Sequence, residues 1–250
     1  MAPEEQDRRS PLEPAAGARA GVATGDPVVL VAARNEADLI GSTLIALADA
    51  FPGSELWVAD DASTDVTAEV ALRHGARVIS RGRPHGKGAN VSAVAAAVRE
   101  RALEPQPPTF LLCDGDLAES AAELGALVEA VDGGRADLAV AIFRDRVGGG
   151  FGLARRFARW AIERRCGFRA LAPISGQRAM SAAVFLEVTP FAAGYGMEIG
   201  ITVDAVRRGH RVAELELDLA HRATGRDLRG FLHRARQLRD FARVFLARRG

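Results

Sequence analysis

Asp114 and Asp116 flank Gly115 directly after the apolar run Thr109-Phe110-Leu111-Leu112-Cys113. Side chains two apart on an extended backbone leave by the same face, and the glycine between them keeps that edge open to a bulky ligand. Two hard oxygen donors so placed suit a divalent cation, and such a cation suits a diphosphate. The triplet also fits a strand-to-helix turn whose acid caps the next helix. Lys87, between Gly86 and Gly88, places a compact ammonium in a loop where a diphosphate could meet it. Glu198 opens a helix-like run to Arg208, where the helix dipole favours a carboxylate. A carboxylate so placed could take a proton from a substrate or orient one. Arg178, after Gly176 and Gln177, carries a guanidinium able to fork onto a phosphate, and Arg222 and Arg226 could do the same.

The elements that must position these groups alternate. Val28 to Ala32, Glu55 to Ala59, Arg77 to Ser80, Thr109 to Cys113 and Leu138 to Phe143 read as strands. Helical spacing runs through Glu36 to Ala50, Val66 to His74 (opened by Ser63-Thr64-Asp65), Gly88 to Leu103 and Glu119 to Val131. Such alternation predicts an α/β fold with a mostly parallel central sheet and helices on both faces. Ligands of such sheets sit outside the carboxyl ends of the strands. Arg34-Asn35-Glu36, Asp60-Asp61 and Asp114-Gly115-Asp116 all fall there. No G-x-G-x-x-G follows the first strand and no G-x-x-x-x-G-K-[ST] occurs, which argues against a dinucleotide fold and a P-loop.

Gly148-Gly149-Gly150 reads as a hinge, followed by an amphipathic helix from Phe151 to Cys166. Leu153, Ala154, Phe157, Trp160 and Ala161 are expected on its buried face, and Arg155, Arg156 and Arg159 on the other. Leu228 to Phe245 repeats the pattern. Both helices read as packed elements with a solvated basic face, or as contacts with an anionic membrane or a phosphorylated acceptor.

The 250 residues suit one large domain: a tail over 1–26, rich in Pro, Ala, Gly and charge and expected to be disordered, then a single domain over 27–250. Within it, 27–117 would bind the nucleotide and 118–250 the acceptor. A net charge of +1 gives no pull toward nucleic acid. Lys87 is the one lysine among 33 basic residues, a bias that gives its retention some weight. Two cysteines exclude a disulfide framework and favour a cytoplasmic setting. No signal peptide and no spanning segment is evident, so contact with the inner face of the plasma membrane would be peripheral.

In order, four segments resemble nucleotide-sugar glycosyltransferases of the GT-A fold, of the family two type. Val31-Ala32-Ala33-Arg34-Asn35-Glu36 is similar to that family's P-A-x-N-E, with alanine for proline. Val58-Ala59-Asp60-Asp61-Ala62-Ser63-Thr64-Asp65 is similar to D-D-G-S-T-D, with Ala62 for glycine. Gly86-Lys87-Gly88 resembles the G-K-G after strand three, and Asp114-Gly115-Asp116 the D-x-D metal motif. Pro173-Ile174-Ser175-Gly176-Gln177-Arg178 resembles the P-L-S-G-Q-R of some bacterial polyprenyl-phosphate-type members. Gly194 to Gly200 and Leu219-Ala220-His221-Arg222 resemble glucosyl-3-phosphoglycerate synthases and their relatives.

The resemblance implies a metal-dependent transfer from a nucleoside-diphosphate sugar, UDP-linked, to a phosphate-bearing acceptor, either a polyprenyl lipid or a small acid. Asp60 would accept from uracil N3–H; Ala33 (through its backbone), Asn35 and Glu36 would hold the nucleoside. Asp114 would reach the ribose or a metal-bound water. Asp116 and His221 would bind Mg²⁺ or Mn²⁺, a Lewis acid for the leaving diphosphate. Asp61 and Asp65 are expected to cap a helix. Gly176, Gln177, Arg178 and Arg222 would face the acceptor. A sugar-phosphate nucleotidylyltransferase, a non-catalytic nucleotide-sugar sensor and a homodimer are the alternatives left open.

Overall fold

A computed structural model of the chain describes residues 25–101, 109–144, 152–220 and 239–248. Seven strands form one sheet in the order β3-β2-β1-β4-β6-β5-β7. They are β1 (Val28–Ala33), β2 (Leu56–Asp60), β3 (Arg77–Ser80), β4 (Thr109–Asp114), β5 (Leu138–Phe143), β6 (Arg178–Ser181) and β7 (Val212–Leu217). β1 to β4 pair in parallel, as do β5 and β7, whereas β6 runs antiparallel between β4 and β5. The predicted mixed α/β architecture is therefore present. β6 itself is absent from the sequence reading, where its four residues follow a turn-like segment and give too short a run to show a period.

Apolar residues on both parities of the strands give the sheet two buried faces. Val29, Val31, Leu111 and Cys113 pack on one side with Leu44 and Leu47 of α1 (Ile40–Ala50), Ala71 of α2 (Thr67–Arg73) and Leu127 of α4 (Gly125–Asp132). Val28, Leu30, Phe110 and Leu112 pack on the other. Their partners are Val91 and Val94 of α3 (Lys87–Glu100), Phe185 of α6 (Ala182–Val188) and Met197 and Ile201 of α7 (Met197–Arg207). The helix expected at 119–131 divides into a 3₁₀ segment, Ala118–Leu124, and α4.

A third cluster joins α5 (Gly152–Cys166), α7 and the helical residues 239–247 through Ala154, Ala158, Ile162, Ile199, Val203, Phe241 and Val244. Here the expected face of α5 is corrected. Its buried side chains are Ala154, Ala158, Ala161 and Ile162, while Leu153 is 75% and Trp160 49% exposed. Small residues let α5 approach its neighbours closely and leave the bulky ones at the rim. Trp160 stacks there against Phe157 and Phe245.

Cys113 and Cys166 are both free thiols. Among the described residues no helix is long and apolar enough to cross a membrane. Residues 1–24 of the expected tail (1–26), the glycine hinge at 148–150 and the helix start at 228–238 lie outside the described residues.

Candidate active site

Strand register brings the polar clusters together. Ala33 sits beside Asp60, and Ala32 beside Asp114, at the carboxyl edge of β2-β1-β4. A cavity of about 510 Å³ opens at this edge. Its floor includes Ala32, Ala33 and Ala59; its walls include Arg34, Asp61, His85, Lys87, Asn90 and Asp114; Tyr195, Arg239, Asp240 and Arg243 close the far side.

The loops that shape the cavity cross-brace one another. Asn35, at φ 55°, donates its backbone N–H to Ser63 Oγ at 2.9 Å and accepts from Thr64 N–H at 2.8 Å. Its carboxamide thus ties the loop after β1 to the loop after β2, and asparagine tolerates this left-handed backbone. The Glu36 N–H donates to Thr67 Oγ1 at 2.9 Å, and the Glu36 carbonyl accepts from Ile40 N–H. Asp65 accepts from Thr67 N–H at 3.0 Å, as expected of a helix cap. Burial opposes its charge, but hydrogen bonds from Thr67 and Ala37 hold its carboxyl below the usual value.

The two acids of Asp60-Asp61 face different surroundings. Asp60 is 1% exposed and accepts from the Ser63 N–H and hydroxyl and from Ser80 Oγ at 2.6 Å. It braces β2 against β3 and the following loop, with its oxygens taken by protein donors. Asp61 lines the cavity and accepts from His85 N–H at 2.7 Å and Gly86 N–H at 3.1 Å. It fixes the loop that leads into α3. Alternation along β2 separates the two side chains, and the neighbouring serines capture the inner one.

Lys87 begins α3. Its Nζ lies 2.5 Å from Asp114 Oδ1 and 3.2 Å from Glu198 Oε1. Desolvation works against the ammonium, but Asp114 and Glu198 outweigh it and push its pKa above the ordinary lysine range. Gln177 Nε2 donates to the other oxygen of Asp114 at 3.1 Å. A Cβ at Gly176 would strike Lys87 Nζ and lie 2.8 Å from Asp114 Oδ2. A side chain at 176 would have to displace the Lys87 or Asp114 side-chain ends. Gly115 is similarly confined: a Cβ would meet Ile40 Cδ1 at 2.9 Å and Ala33 Cβ at 3.3 Å.

Gln177 and Arg178 therefore point inward. Arg178 is fully buried on β6, opposite Leu112 and Val140, and donates to Ser175 O and Thr202 Oγ1, each at 2.8 Å. This corrects the expected fork onto an acceptor: the guanidinium ties the 175–178 turn to α7. Desolvation lowers its pKa to about 10, against the pull of Glu198 and Glu214, and it stays a cation at neutral pH. Glu198 is 5% exposed and sits in the first turn of α7, facing Lys87. Asp116 is half-buried just beyond the end of β4. Among the described residues no three His, Cys, Asp or Glu side chains cluster as a metal site. His221 and Arg222, like Arg226, lie outside the described residues.

The model of the family described as glycosyl transferase family 2 matches residues 28–186. The chain belongs to glycosyl transferase family 2. An uncharacterized glycosyltransferase of Mycobacterium tuberculosis is 32% identical over 208 residues, covering 81% of this chain and 89% of that protein; one of Mycobacterium bovis matches to the same extent. Among solved structures, glucosyl-3-phosphoglycerate synthase of M. tuberculosis with phosphoglyceric acid is 28% identical. It superposes with a TM-score of 0.71 over 90% of this chain and 80% of that one. The same enzyme with Mn²⁺, UDP-glucose and phosphoglyceric acid gives 29% identity and a TM-score of 0.69, with the same coverage. The GT-A fold and a glycosyltransferase activity follow for this family 2 chain.

His85, Asn90, Tyr195, Arg239, Asp240 and Arg243 escaped the sequence reading of the site. Tyr195 is the only tyrosine and stands within the recognised Gly194 to Gly200 segment, which was a usable signal. Arg239 and Arg243 look like any solvated helical face until the fold sets them at the cavity.

Proposed function

We propose that this glycosyltransferase moves a sugar from a UDP-linked donor, with a divalent cation, to a phosphate-bearing acceptor. The observation that carries the reading is the carboxyl-edge cavity whose wall holds the ion pair Lys87–Asp114. The similarity to a synthase crystallised with Mn²⁺, UDP-glucose and phosphoglyceric acid supports it.

The donor set fits Mg²⁺ or Mn²⁺. Gly115 lies close to Ala33 and Ile40, in the turn that follows Asp114 at the cavity wall. Asp114 has its two oxygens engaged by Lys87 and Gln177; the likeness of Asp114-Gly115-Asp116 to the family's D-x-D motif supports Asp116, with His221, as the direct protein ligand. A cation held by one or two carboxylates takes the rest of its shell from substrate phosphates and water. When bound, it supplies Lewis-acid stabilisation of the departing diphosphate.

The chain's own residues orient and neutralise. Lys87 presents a persistent positive charge at the cavity wall, against which diphosphate oxygens can rest. Glu198 and Gln177 hold Lys87 and Asp114 in place from α7 and the 175–178 turn. Glu198, nearly closed to solvent and paired with the ammonium, acts as a positioning group.

The test is transfer of labelled glucose from UDP-glucose with Mn²⁺ to 3-phosphoglycerate and to a polyprenyl phosphate. Product with either acceptor supports the reading; UDP-glucose that neither binds nor reacts refutes it. The lipid acceptor is favoured by one observation, the exposed Leu153 and Trp160 on the arginine-rich α5. Failure of the protein to float with anionic liposomes at low salt would count against that acceptor.

A further inference from the structure

Asn90 stands three residues beyond Lys87 on the sheet-facing side of α3, among Val91, Val94 and Ala95. It is 1% exposed. Its backbone N–H donates to Gly86 O at 3.1 Å. Neither side-chain amide atom, Oδ1 nor Nδ2, has a hydrogen-bond partner among the described residues. Yet the residue lines the cavity, as do the small residues Ala32 and Ala59. A buried carboxamide with no partner is a standing cost that an apolar side chain of similar size would remove. The amide is accounted for if what enters the cavity pairs with it.

The chemistry of that partner can be narrowed. A phosphate oxygen only accepts, so it would serve Nδ2 and leave Oδ1 bare. A carboxamide places a donor and an acceptor side by side in one plane. Its complement is an acceptor and donor likewise adjacent and coplanar, as on the edge of a nucleobase. Asp60, expected to read the base, is occupied by Ser63 and Ser80. The cavity's fixed ammonium, Lys87, marks the end suited to the diphosphate. The small alanines that share the lining leave room for a flat ring.

We infer that Asn90 is a specificity-determining residue that reads the donor's base, Oδ1 accepting from a ring N–H and Nδ2 donating to the adjacent carbonyl. Uracil carries that pair at N3–H and O4. The inference rests on the nucleoside-diphosphate reading above.

Titration calorimetry with Mn²⁺ tests it, comparing the unaltered protein with Asn90→Leu and Asn90→Ala, each against UDP and against inorganic pyrophosphate. The variants are expected to bind UDP at least tenfold more weakly and pyrophosphate within twofold of the unaltered protein. Asn90→Leu should also melt no lower in the free state, since it removes an unpaired amide. Asn90→Ala keeps the comparison intact if leucine overfills the site. UDP affinity within twofold in both variants would overturn the inference, as would equal losses for UDP and pyrophosphate. If the unaltered protein binds pyrophosphate but not UDP, the nucleoside-diphosphate reading fails and this inference with it.

Discussion

Lys87 Nζ and Asp114 Oδ1 are 2.5 Å apart, and the ion pair they form joins the first residue of α3 to the last residue of β4. The same ammonium reaches Glu198 on α7 at 3.2 Å. Three elements distant in sequence thus meet at one cation. Neutral Lys87 substitutions would leave two carboxylates facing each other without a counter-charge. Lys87→Met should cost about 1–3 kcal/mol, because the lysine is mostly buried while Asp114 remains partly solvated. It should lower kcat/KM at least a hundredfold. Urea unfolding and steady-state transfer assays measure both.

Gly176→Ala should reproduce much of that loss without touching a charge. The added methyl would push against Lys87 Nζ and Asp114 Oδ2 and shift the ion pair rather than the backbone. In a double-mutant cycle with Lys87→Met the losses should be clearly less than additive. Additive losses would show that Gly176 acts elsewhere.

Ala62 has φ 56°, the left-handed region where an L side chain is strained. It stands where the family resemblance expects glycine. Ala62→Gly should raise stability by about 0.5–1 kcal/mol, the relief of strain outweighing the extra freedom of glycine in the unfolded chain. Transfer should be unchanged. A fall in the urea midpoint would contradict the strain.

The Lys87 pair also sets a pH dependence. Its folded pKa lies above the ordinary lysine value of 10.5. Its contribution is fully present below 10.5, where both folded and unfolded chains carry the proton. It is lost as pH rises from there through the folded pKa. The stability difference between the unaltered protein and Lys87→Met should be flat from about pH 6 to 9 and shrink only at the alkaline end. A steep change near neutrality in urea titrations would rule out a permanently charged lysine.

Much of the fold was legible because β1, β2 and β4 are unbroken apolar runs and α1 keeps a helical period. β6 was hidden because its four residues are short, and one of them, Arg178, is a buried cation that looks like a surface group in sequence. Motif order located the edge where Asp61, Lys87 and Asp114 meet, but types and spacing could not say which oxygens the protein itself would use. Asp60 accepts from the hydroxyls of Ser63 and Ser80, and Ser80 is twenty residues away. Lys87, expected to meet only substrate, found Asp114 and Glu198, contacts made by tertiary structure alone. Asn90 gave no signal at all, since an isolated asparagine in a helix reads as solvated until its burial is known.

Asp116 is the direct ligand in the proposed metal-dependent transfer, and Asp116→Asn is its most direct test. The variant keeps size and shape and removes the charge. Transfer of labelled glucose from UDP-glucose with Mn²⁺ should fall at least a hundredfold while the far-ultraviolet circular dichroism and melting temperature stay close to those of the unaltered protein. Undiminished turnover in the folded variant would contradict the account.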